Sequence, residues 1–468
     1  MIGNWTDIAL QDIISYAIGG DWGYNPEESI DDSTLAYCIR GSEIKEWNKN
    51  RGKTAVIRRI KNSSLENRKL EIGDILLEIS GGGPEQPVGR VLYIDEETIK
   101  TQDNHPIVCT NFFRRLHLND TVCSRYVYYY LHFFYIIGNT ISLQGGSNNL
   151  RNLKFKDYQL IRIPLPSLTE QKQIAEKLDK LFDQIETIKE ASNKIPELLK
   201  NFRQQVLTCA VTGKLTEEWR NNNNVNLIRI IDQLKEQRIN EISSKVLKEK
   251  LEKIYIDNNS SIDFPIPEQW IPINLDKICE SFSYGTSSKS MNEGTYPVLR
   301  MGNIQNGKLI WSDLKYTSDE SEYIKYQLNV GDVLFNRTNS PELVGKTAIY
   351  DEDKKACYAG YIIRIDPYRE YVNPYYLNIV LNSQYAKRWC WEHKSDGVSQ
   401  SNINAQKLSK FTIPYPHIAE QNIIVERVQS LLAKLDAIEG KYNIMLENLG
   451  KLPQALLCKA FKGEMFTK

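Results

Sequence analysis

The sequence lacks net charge, closely spaced cysteines and any long hydrophobic run. Its 468 residues contain 59 Lys and Arg against 59 Asp and Glu, which excludes a uniformly basic surface but not a local basic patch. No two of the eight cysteines have the Cys-x-x-Cys spacing of a structural zinc site, which favours a reducing cytoplasm. The longest apolar run, residues 126–137, is too short to cross a bilayer, and the opening MIGNWTDIALQD is not expected to be a secretory signal.

Three short motifs resemble parts of catalytic sites, and none of them is complete. Residues 340–347 approach a phosphate-binding loop, but Ser340 replaces its first glycine and strand-like residues follow. Residues 373–376, Asn-Pro-Tyr-Tyr, lack the second proline of an adenine methyltransferase tetrad and are interpreted as a helix start. Residues 43–45 are half of a nuclease motif, and the five histidines have neither triad nor metal-site spacing. The sequence therefore predicts no catalytic residues and no metal site.

The chain contains one long internal repeat. Residues 152–215 align with 402–465 at a constant offset of 250, and 17 of these 64 pairs are identical. The repeat continues upstream, where Trp5 corresponds to Trp270 and LEIGDILL at 70–77 corresponds to LNVGDVLF at 328–335. A period of this length predicts one duplicated unit, each copy being a domain followed by a helix.

Each copy ends in a predicted long helix with an apolar seam. Apolar residues alternate at spacings of four and three from Ile174 to Val206, with Ser192 as the single polar member, and again from Ile424 to Leu456. This period of 3.5 residues is typical of a coiled coil. The two seams could bury each other, or each could bind an outside partner, and we favour mutual pairing.

Prolines and glycines mark positions where these helices should be disturbed or end. Pro196 and Pro453 lie inside the apolar pattern and are expected to kink each helix or interrupt its hydrogen bonding. Gly213 and Gly463 are expected to end the helices.

The regions before the helices contain short β-rich runs and one aromatic-rich helix each, which predicts the α+β fold class. The complete prediction is two α/β domains joined by two long coiled-coil helices, with a pseudo-twofold internal repeat. The predicted divisions are a first domain at 1–165, a central helix at 166–215, a connector at 216–262 containing one amphipathic helix, a second domain at 263–415 and a C-terminal helix at 416–468.

A basic strip and two pairs of polar loops are the candidate binding residues. Residues 40–69 contain ten Lys and Arg, whereas residues 1–39 contain none. Glycine-broken or polar loops occur at equivalent places in the two copies, at 80–83 and 337–340 and again at 144–149 and 397–402. Such side chains contact DNA phosphates and base edges, although they are also ordinary in solvated loops. The candidate DNA-binding residues are Arg40, Lys45, Lys49, Arg51, Lys53, Ser80, Arg90, Gln144, Ser147, Asn148, Arg300, Asn303, Arg337, Asn339, Lys346, Ser399, Gln400 and Ser401.

Several of these segments carry a resemblance to a known family. The run IPLPSLTEQKQIAEKL at 163–178, continued by IPELLKNFRQ at 195–204 and GKLTEEWR at 213–220, resembles the specificity subunits of type I restriction–modification systems. In the second copy, IPYPHIAEQ at 413–421 and PEQW at 267–270 carry the same resemblance.

The resemblance implies a non-catalytic reader of double-stranded DNA. Each of two target-recognition domains would bind one half of a split, asymmetric site, and the two helices would form an antiparallel coiled coil between them. Two methyltransferase (modification) subunits would dock on the helices, two restriction or motor subunits would join in a restriction complex, and no membrane would be involved. S-adenosylmethionine, ATP and Mg would belong to those partners, so no cofactor is expected on this chain.

Three other functions stay open at this point. The chain could serve a methylation-only complex that has no restriction subunit. It could also be a coiled-coil scaffold without a role on DNA, or an enzyme, namely a fused methyltransferase or nuclease, although no catalytic centre is found in the sequence.

Overall fold

The computed structural model describes residues 5–83, 86–101, 105–147, 150–223, 225–257, 260–397 and 400–466. The chain divides into two compact units, Met1–Asn193 with Asn443–Lys468 and Lys194–Tyr442.

The first unit alternates short strands with short helices and then enters a long helix. Its strands are β1 Thr6–Ala9, β2 Ile14–Gly19, β3 Ser33–Ile39, β4 Val56–Lys61, β5 Ile75–Glu78, β6 Ser80–Gly81, β7 Val91–Tyr93, β8 Ile107–Cys109, β9 Phe113–Leu118, β10 Gln144–Ser147, β11 Leu150–Leu153 and β12 Arg162–Leu165. Its helices are α1 Leu10–Ile13, α2 Trp47–Asn50, α3 Asn62–Arg68, α4 Glu96–Lys100, α5 Ser124–Ile136, α6 Phe155–Tyr158 and α7 Leu168–Ser192.

The second unit begins with helices and then repeats the mixed pattern. Its strands are β13 Ile271–Asn274, β14 Cys279–Tyr284, β15 Tyr296–Leu299, β16 Ile304–Gln305, β17 Lys308–Leu309, β18 Lys315–Thr317, β19 Val333–Asn336, β20 Thr338–Asn339, β21 Thr347–Ile349, β22 Cys357–Tyr358, β23 Ile362–Pro367, β24 Ser395–Asp396, β25 Ser401–Asn402 and β26 Thr412–Tyr415. Its helices are α8 Ile195–Val211, α9 Glu217–Asn221, α10 Leu227–Glu241, α11 Lys245–Ile256, α12 Leu275–Ile278, α13 Glu320–Tyr326, α14 Pro374–Leu381, α15 Gln384–His393 and α16 Ala405–Ser409. The last helix, α17 Ile418–Phe461, contributes residues to both units.

Four sheets of the first unit recur in the second with the same strand order. The first unit has β1-β12, β2-β9-β5-β7, β4-β3-β8 and β10-β11-β6, and the second has β13-β26, β14-β23-β19-β21, β18-β15-β22 and β24-β25-β20. The single parallel pairing within each set also recurs, as β3 with β8 and β15 with β22. The predicted internal repeat is therefore confirmed as a repeat of topology.

The main core of each unit is shared by the four-stranded sheet, the aromatic helix and the long helices. In the first unit it contains Ile75, Leu116, Tyr126, Val127, Ile174, Leu178, Leu457 and Ala460. In the second unit it contains Val333, Ile363, Tyr376, Leu377, Val206, Leu207, Ile424 and Val428. The apolar seams thus pack against their own domain as well as against a second helix segment, because one helix face is wide enough to serve both.

The repeated Gln of each long helix explains one part of the sequence repeat. Gln171 is buried, its side-chain oxygen accepts a hydrogen bond from the Cys123 backbone N–H at 2.9 Å, and its amide donates to the Pro166 carbonyl at 2.9 Å. Its counterpart Gln421 accepts from the Asn373 N–H at 2.8 Å and donates to the Pro416 carbonyl at 2.9 Å. Each Gln therefore ties the first turn of the long helix to the start of the aromatic helix.

A tyrosine completes this junction in both units. The Tyr126 hydroxyl donates to the Pro164 carbonyl at 2.6 Å, and the Tyr376 hydroxyl donates to the Pro414 carbonyl at 2.6 Å. Both tyrosines are fully buried, so these hydrogen bonds satisfy groups that water cannot reach. The repeated Ile-Pro-x-Pro segments are thereby fixed against the core.

The prolines affect the two long helices differently. A break separates α7 from α8 at residues 193–194, and Pro196 lies in the first turn of α8, where a missing N–H costs nothing. The second helix continues through Pro453 without ending. Both helices stop as predicted, with Gly213 at φ +72° and Gly463 at φ +71° just beyond their last turns.

Two predicted helices are each divided in the structure. The connector holds the short helix α9 and, in place of the one predicted amphipathic helix, α10 and α11 with residues 242–244 between them. The second aromatic helix is α14 followed by α15, because Ser383 starts a new helix by accepting a hydrogen bond from the Ala386 N–H. The interpretation of residues 373–376 as a helix start is confirmed, since the Asn373 side chain caps α14.

We expect Gln171→Leu to destabilise the first unit, because it leaves the Cys123 N–H and the Pro166 carbonyl unpaired in the core. The loss should be about 1–3 kcal/mol, or about 2–4 °C in Tm per kcal/mol for a unit of this size. Thermal unfolding of the full chain measures it.

The matched control is Gln173→Leu, which changes an exposed glutamine two residues further along the same helix. Equal melting temperatures for the two variants would contradict the structural role of Gln171.

Candidate nucleic-acid interface

The two predicted polar loops of the first domain meet in one small sheet. Ser80 of β6 pairs with Asn152 of β11, and Gln144 of β10 pairs with Leu153 of the same strand. The Gln144 side-chain oxygen also accepts a hydrogen bond from the Val88 N–H at 3.1 Å. Strand pairing therefore brings together segments that lie more than sixty residues apart in the chain. Ser147 ends β10, and Asn148 lies outside the described residues.

The second domain assembles its two polar loops in the same way. Asn339 of β20 pairs with Ser401 of β25, and the Asn402 amide donates to the Thr338 hydroxyl at 2.7 Å. Ser401 is buried, whereas Gln400 is exposed at the edge of the described chain, and Ser399 lies outside it.

An ion pair supports the outer strand of this second small sheet. The Lys394 ammonium donates to the Asp396 carboxylate at 2.6 Å, and the Ser401 hydroxyl donates to the same group. These two hydrogen bonds hold the pKa of the Asp396 carboxyl below its usual range. Ser401 therefore positions β24 from inside the sheet, where its hydroxyl is occupied.

Arg337 occupies the entrance to β20. Its guanidinium carbon lies 4.7 Å from the ring centroid of Tyr284, a cation–π contact that orients a half-exposed cation. Asn339 is half-buried, and its side-chain oxygen accepts a hydrogen bond from the Ser340 N–H at 2.8 Å. The arginine is therefore held in place beside the small sheet.

Two predicted cations beside the small sheets already have protein partners. The Arg90 guanidinium donates to the buried Glu78 carboxylate at 2.8 Å, and the Lys346 ammonium donates to the Gln305 side-chain oxygen at 2.9 Å. These contacts fix where the two positive charges lie.

Arg40 and Arg300 occupy equivalent turns with similar internal contacts. The Arg40 N–H donates to the Glu43 carboxylate at 2.6 Å, and the Arg300 N–H donates to the Asn303 side-chain oxygen at 2.9 Å. The Asn303 amide donates to two carbonyls, and the residue is only 3% exposed. Asn303 therefore holds the turn that presents Arg300.

The basic strip, meaning the ten Lys and Arg between residues 40 and 69, is unevenly neutralised. Arg51 lies 3.4 Å from the Asp95 carboxylate, and Lys49 lies 4.0 Å from the Glu186 carboxylate. Lys45 and Lys53 are exposed and form no ion pair with the described part of the chain. These two lysines are therefore among the members of the strip whose charge is accessible.

Sequence reasoning missed an aromatic surface beside the strip. Trp22 and Tyr24 are 40% and 37% exposed, and the Arg58 guanidinium carbon lies 4.3 Å from the Trp22 ring centroid. Lys61 lies 5.8 Å from the Tyr24 ring centroid. The signal in the sequence was Trp-Gly-Tyr at 22–24, but its position next to β4 depends on a contact between distant segments.

Two negative findings apply to the described ranges given above. Within them, no group of three or more His, Cys, Asp or Glu side chains is placed to hold a metal ion. No helix in those ranges combines the length and the apolar character needed to cross a membrane.

Comparison with known proteins identifies relatives of this architecture. The family model described as the type I restriction modification DNA specificity domain matches residues 37–197 and 267–448, one stretch in each copy of the repeat. The type I restriction enzyme EcoKI specificity subunit of Escherichia coli (strain K12) is 31% identical over 332 residues, covering 70% of this chain and 62% of that protein. The EcoBI specificity subunit of Escherichia coli is 30% identical over 362 residues, covering 74% of this chain and 69% of that protein.

A solved structure shares the fold at low sequence identity. The crystal structure of the HsdS subunit from Thermoanaerobacter tengcongensis superposes with a TM-score of 0.60 at 16% identity, covering 99% of this chain and 97% of that one. The repeated arrangement of sheets and helices is therefore an established fold.

We predict that Lys45→Ala combined with Lys53→Ala weakens binding to all DNA sequences alike, because phosphate contacts carry no sequence information. The slope of log K against log salt should fall by about 0.9 for each DNA phosphate that a lysine no longer neutralises. Fluorescence anisotropy across a salt series measures both quantities.

Lys245→Ala combined with Lys250→Ala is the matched control, since both lysines are exposed on α11. A salt slope that is the same for both double variants would remove the strip from the interface.

Proposed function

Because the chain belongs to the type I restriction–modification DNA specificity family, it is a DNA-recognition subunit, and we propose that each of its two domains reads one half of a split, asymmetric site. The observation that carries the proposal is the recurrence of four sheets in the same order in both units. Two copies of the same arrangement of sheets can present equivalent surfaces to two stretches of the DNA duplex. Different loops on the same frame give the site its asymmetry.

We propose the small three-stranded sheets as the parts that meet the major groove. The candidates around them include Gln144 in the first domain and Arg337, Asn339 and Gln400 in the second. Arg forms bidentate hydrogen bonds with guanine, and Asn and Gln do so with adenine. The Tyr284 ring beneath Arg337 supports this role, because an oriented guanidinium loses less entropy on binding.

We propose that the long helices form an antiparallel coiled coil. In the first unit the start of α7, at Ile174 and Leu178, shares a core with the end of α17, at Leu457. In the second unit the end of α8, at Val206, shares a core with the start of α17, at Val428. Opposite ends of the helices therefore pack together within each unit, as an antiparallel pair requires.

We propose that the same helices also act as the spacer between the two half-sites. As continuous helix, the residues from Ile174 to Val206 would rise about 50 Å at 1.5 Å per residue, or about 14 base pairs, and the break at residues 193–194 interrupts this rise. This length suits two half-sites about one helical turn apart on one face of the duplex.

The remaining parts of the proposal concern the complex. Two methyltransferase subunits would dock on the helices, and two restriction subunits would join them if the system cleaves DNA. S-adenosylmethionine, ATP and Mg would be bound by those subunits and not by this chain. The complex would act in the cytoplasm.

Genome-wide mapping of methylated adenines tests the proposed function. A bipartite motif should be present in cells that express the chain with its methyltransferase and absent when this gene is deleted. In cells carrying Arg337→Ala, the motif should relax at one G·C pair of one half-site, because a bidentate arginine contributes about 1–3 kcal/mol of discrimination.

The control is Arg229→Ala, an exposed arginine on α10. A motif that survives deletion of the gene would refute the proposed function. Relaxation in both half-sites would refute the assignment of one domain to each half.

A further inference from the structure

A tight turn between β8 and β9 of the first unit exposes two side chains that no assigned role uses. Thr110 in this turn is buried, whereas Asn111 is exposed and Phe112 is 43% exposed. Against the described part of the chain, the Asn111 side-chain amide forms no hydrogen bond. An uncommitted amide beside an exposed aromatic ring is available to a ligand.

The backbone of this turn is held on both sides. Thr110 donates its N–H to the Ile39 carbonyl at 2.9 Å, and Asp21 donates its N–H to the Cys109 carbonyl at 2.8 Å. On the other side, the Ile79 N–H donates to the Phe112 carbonyl at 2.9 Å. The turn is therefore rigid enough to present side chains in a defined direction.

These hydrogen bonds also connect the turn to two parts of the candidate interface. One neighbouring segment leads directly from Asp21 to Trp22, the ring that stacks on Arg58 of the basic strip. The other leads from Ile79 into Ser80 of the small sheet. Asn111 and Phe112 thus lie between the Trp22–Arg58 contact and the proposed base-reading sheet.

A glycine makes this close approach feasible in each unit. A Cβ atom on Gly20 would lie 2.2 Å from the Cys109 carbonyl oxygen, and one on Gly285 would lie 2.1 Å from the Tyr358 carbonyl oxygen. Only glycine fits at such distances. The same turn therefore occurs in both units.

The residues that the turn presents differ between the units. The Arg337 N–H donates to the Tyr361 carbonyl at 3.0 Å, as the Ile79 N–H does to the Phe112 carbonyl, so Tyr361 is the counterpart of Phe112. The counterpart of Asn111 is then Gly360, which has no side chain. Both units therefore have this turn, but it carries a side-chain amide only in the first unit.

We infer that Asn111 and Phe112 contact A·T base pairs in the half-site read by the first domain. An Asn amide can pair with N6 and N7 of adenine, and a phenyl ring can pack on the methyl group of thymine. This inference rests on the proposed function and adds two specificity-determining residues to it. With glycine at position 360, the second domain lacks this adenine contact.

The test uses the chain assembled with its methyltransferase and a library of duplexes randomised in both half-sites. Asn111→Ala should lower the preference for adenine at one position of one half-site by about 5-fold to 150-fold. Asn111→Asp should shift that position towards cytosine, whose N4 amino group donates to a carboxylate. Phe112→Ala should reduce the preference for thymine at the same or the adjacent pair.

The matched control for Phe112→Ala is Ile72→Ala, which also removes an exposed apolar side chain. Ile72 precedes β5, whereas the turn lies beyond the other end of that strand. Preferences in the other half-site report in each variant whether the complex is assembled and active. Unchanged preferences in the first half-site, or an equal loss in both, would overturn the inference. A wild-type complex that methylates the library without any preference would instead refute the proposed function itself.

Discussion

The buried glutamine at the start of each long helix is the contact on which the architecture of each unit depends. Gln171 and Gln421 both bond the last proline carbonyl before the long helix and the N–H of the residue that immediately precedes the aromatic helix. The hydroxyl groups of Tyr126 and Tyr376 bond to the strand that precedes each long helix. In each unit, the long helix, the aromatic helix and this strand are therefore joined at one point. Any one of these groups left unpaired would cost about 1–3 kcal/mol, so the direction in which each helix leaves its domain is strongly fixed.

A fixed frame with variable loops accounts for the way the two copies diverge. The turn at Arg40 is closed by Glu43, whereas the equivalent turn at Arg300 is closed by Asn303, and the backbone geometry is kept in both. The small sheets likewise keep their pairing while Ser80-Gly81 in one copy is replaced by Thr338-Asn339 in the other. Strand pairing uses backbone atoms, which allows side chains on the exposed face to change without loss of the fold. This separation is what a subunit needs if each domain is to read different bases.

Features set by local sequence were predictable, and features set by distant pairing were not. The duplication, the short strands and the glycine stops at 213 and 463 followed from periodicity and spacing, and the family followed from the resemblance of its motifs; all of these are confirmed. The helix break at 193–194 was anticipated only as an effect of Pro196, and the division of the connector at 242–244 was not foreseen. The order of strands in each sheet has no local signal, so neither the meeting of Ser80 with the Gln144 strand nor the place of Trp22 beside Arg58 could be derived. The eighteen candidate DNA contacts remain predictions.

Exchange of one domain tests the central claim most directly. Residues 1–165 would be replaced by the equivalent domain of a relative that specifies a different motif, with the junction after β12. Gln171 then keeps its bond to the Pro166 carbonyl, and the donor domain must supply the backbone N–H that Cys123 supplies here. The account predicts that one half of the methylated motif changes to that of the donor while the other half and the spacer between them stay the same. A motif that changes in both halves, or that does not change at all, would contradict the assignment of one reading domain to each half-site.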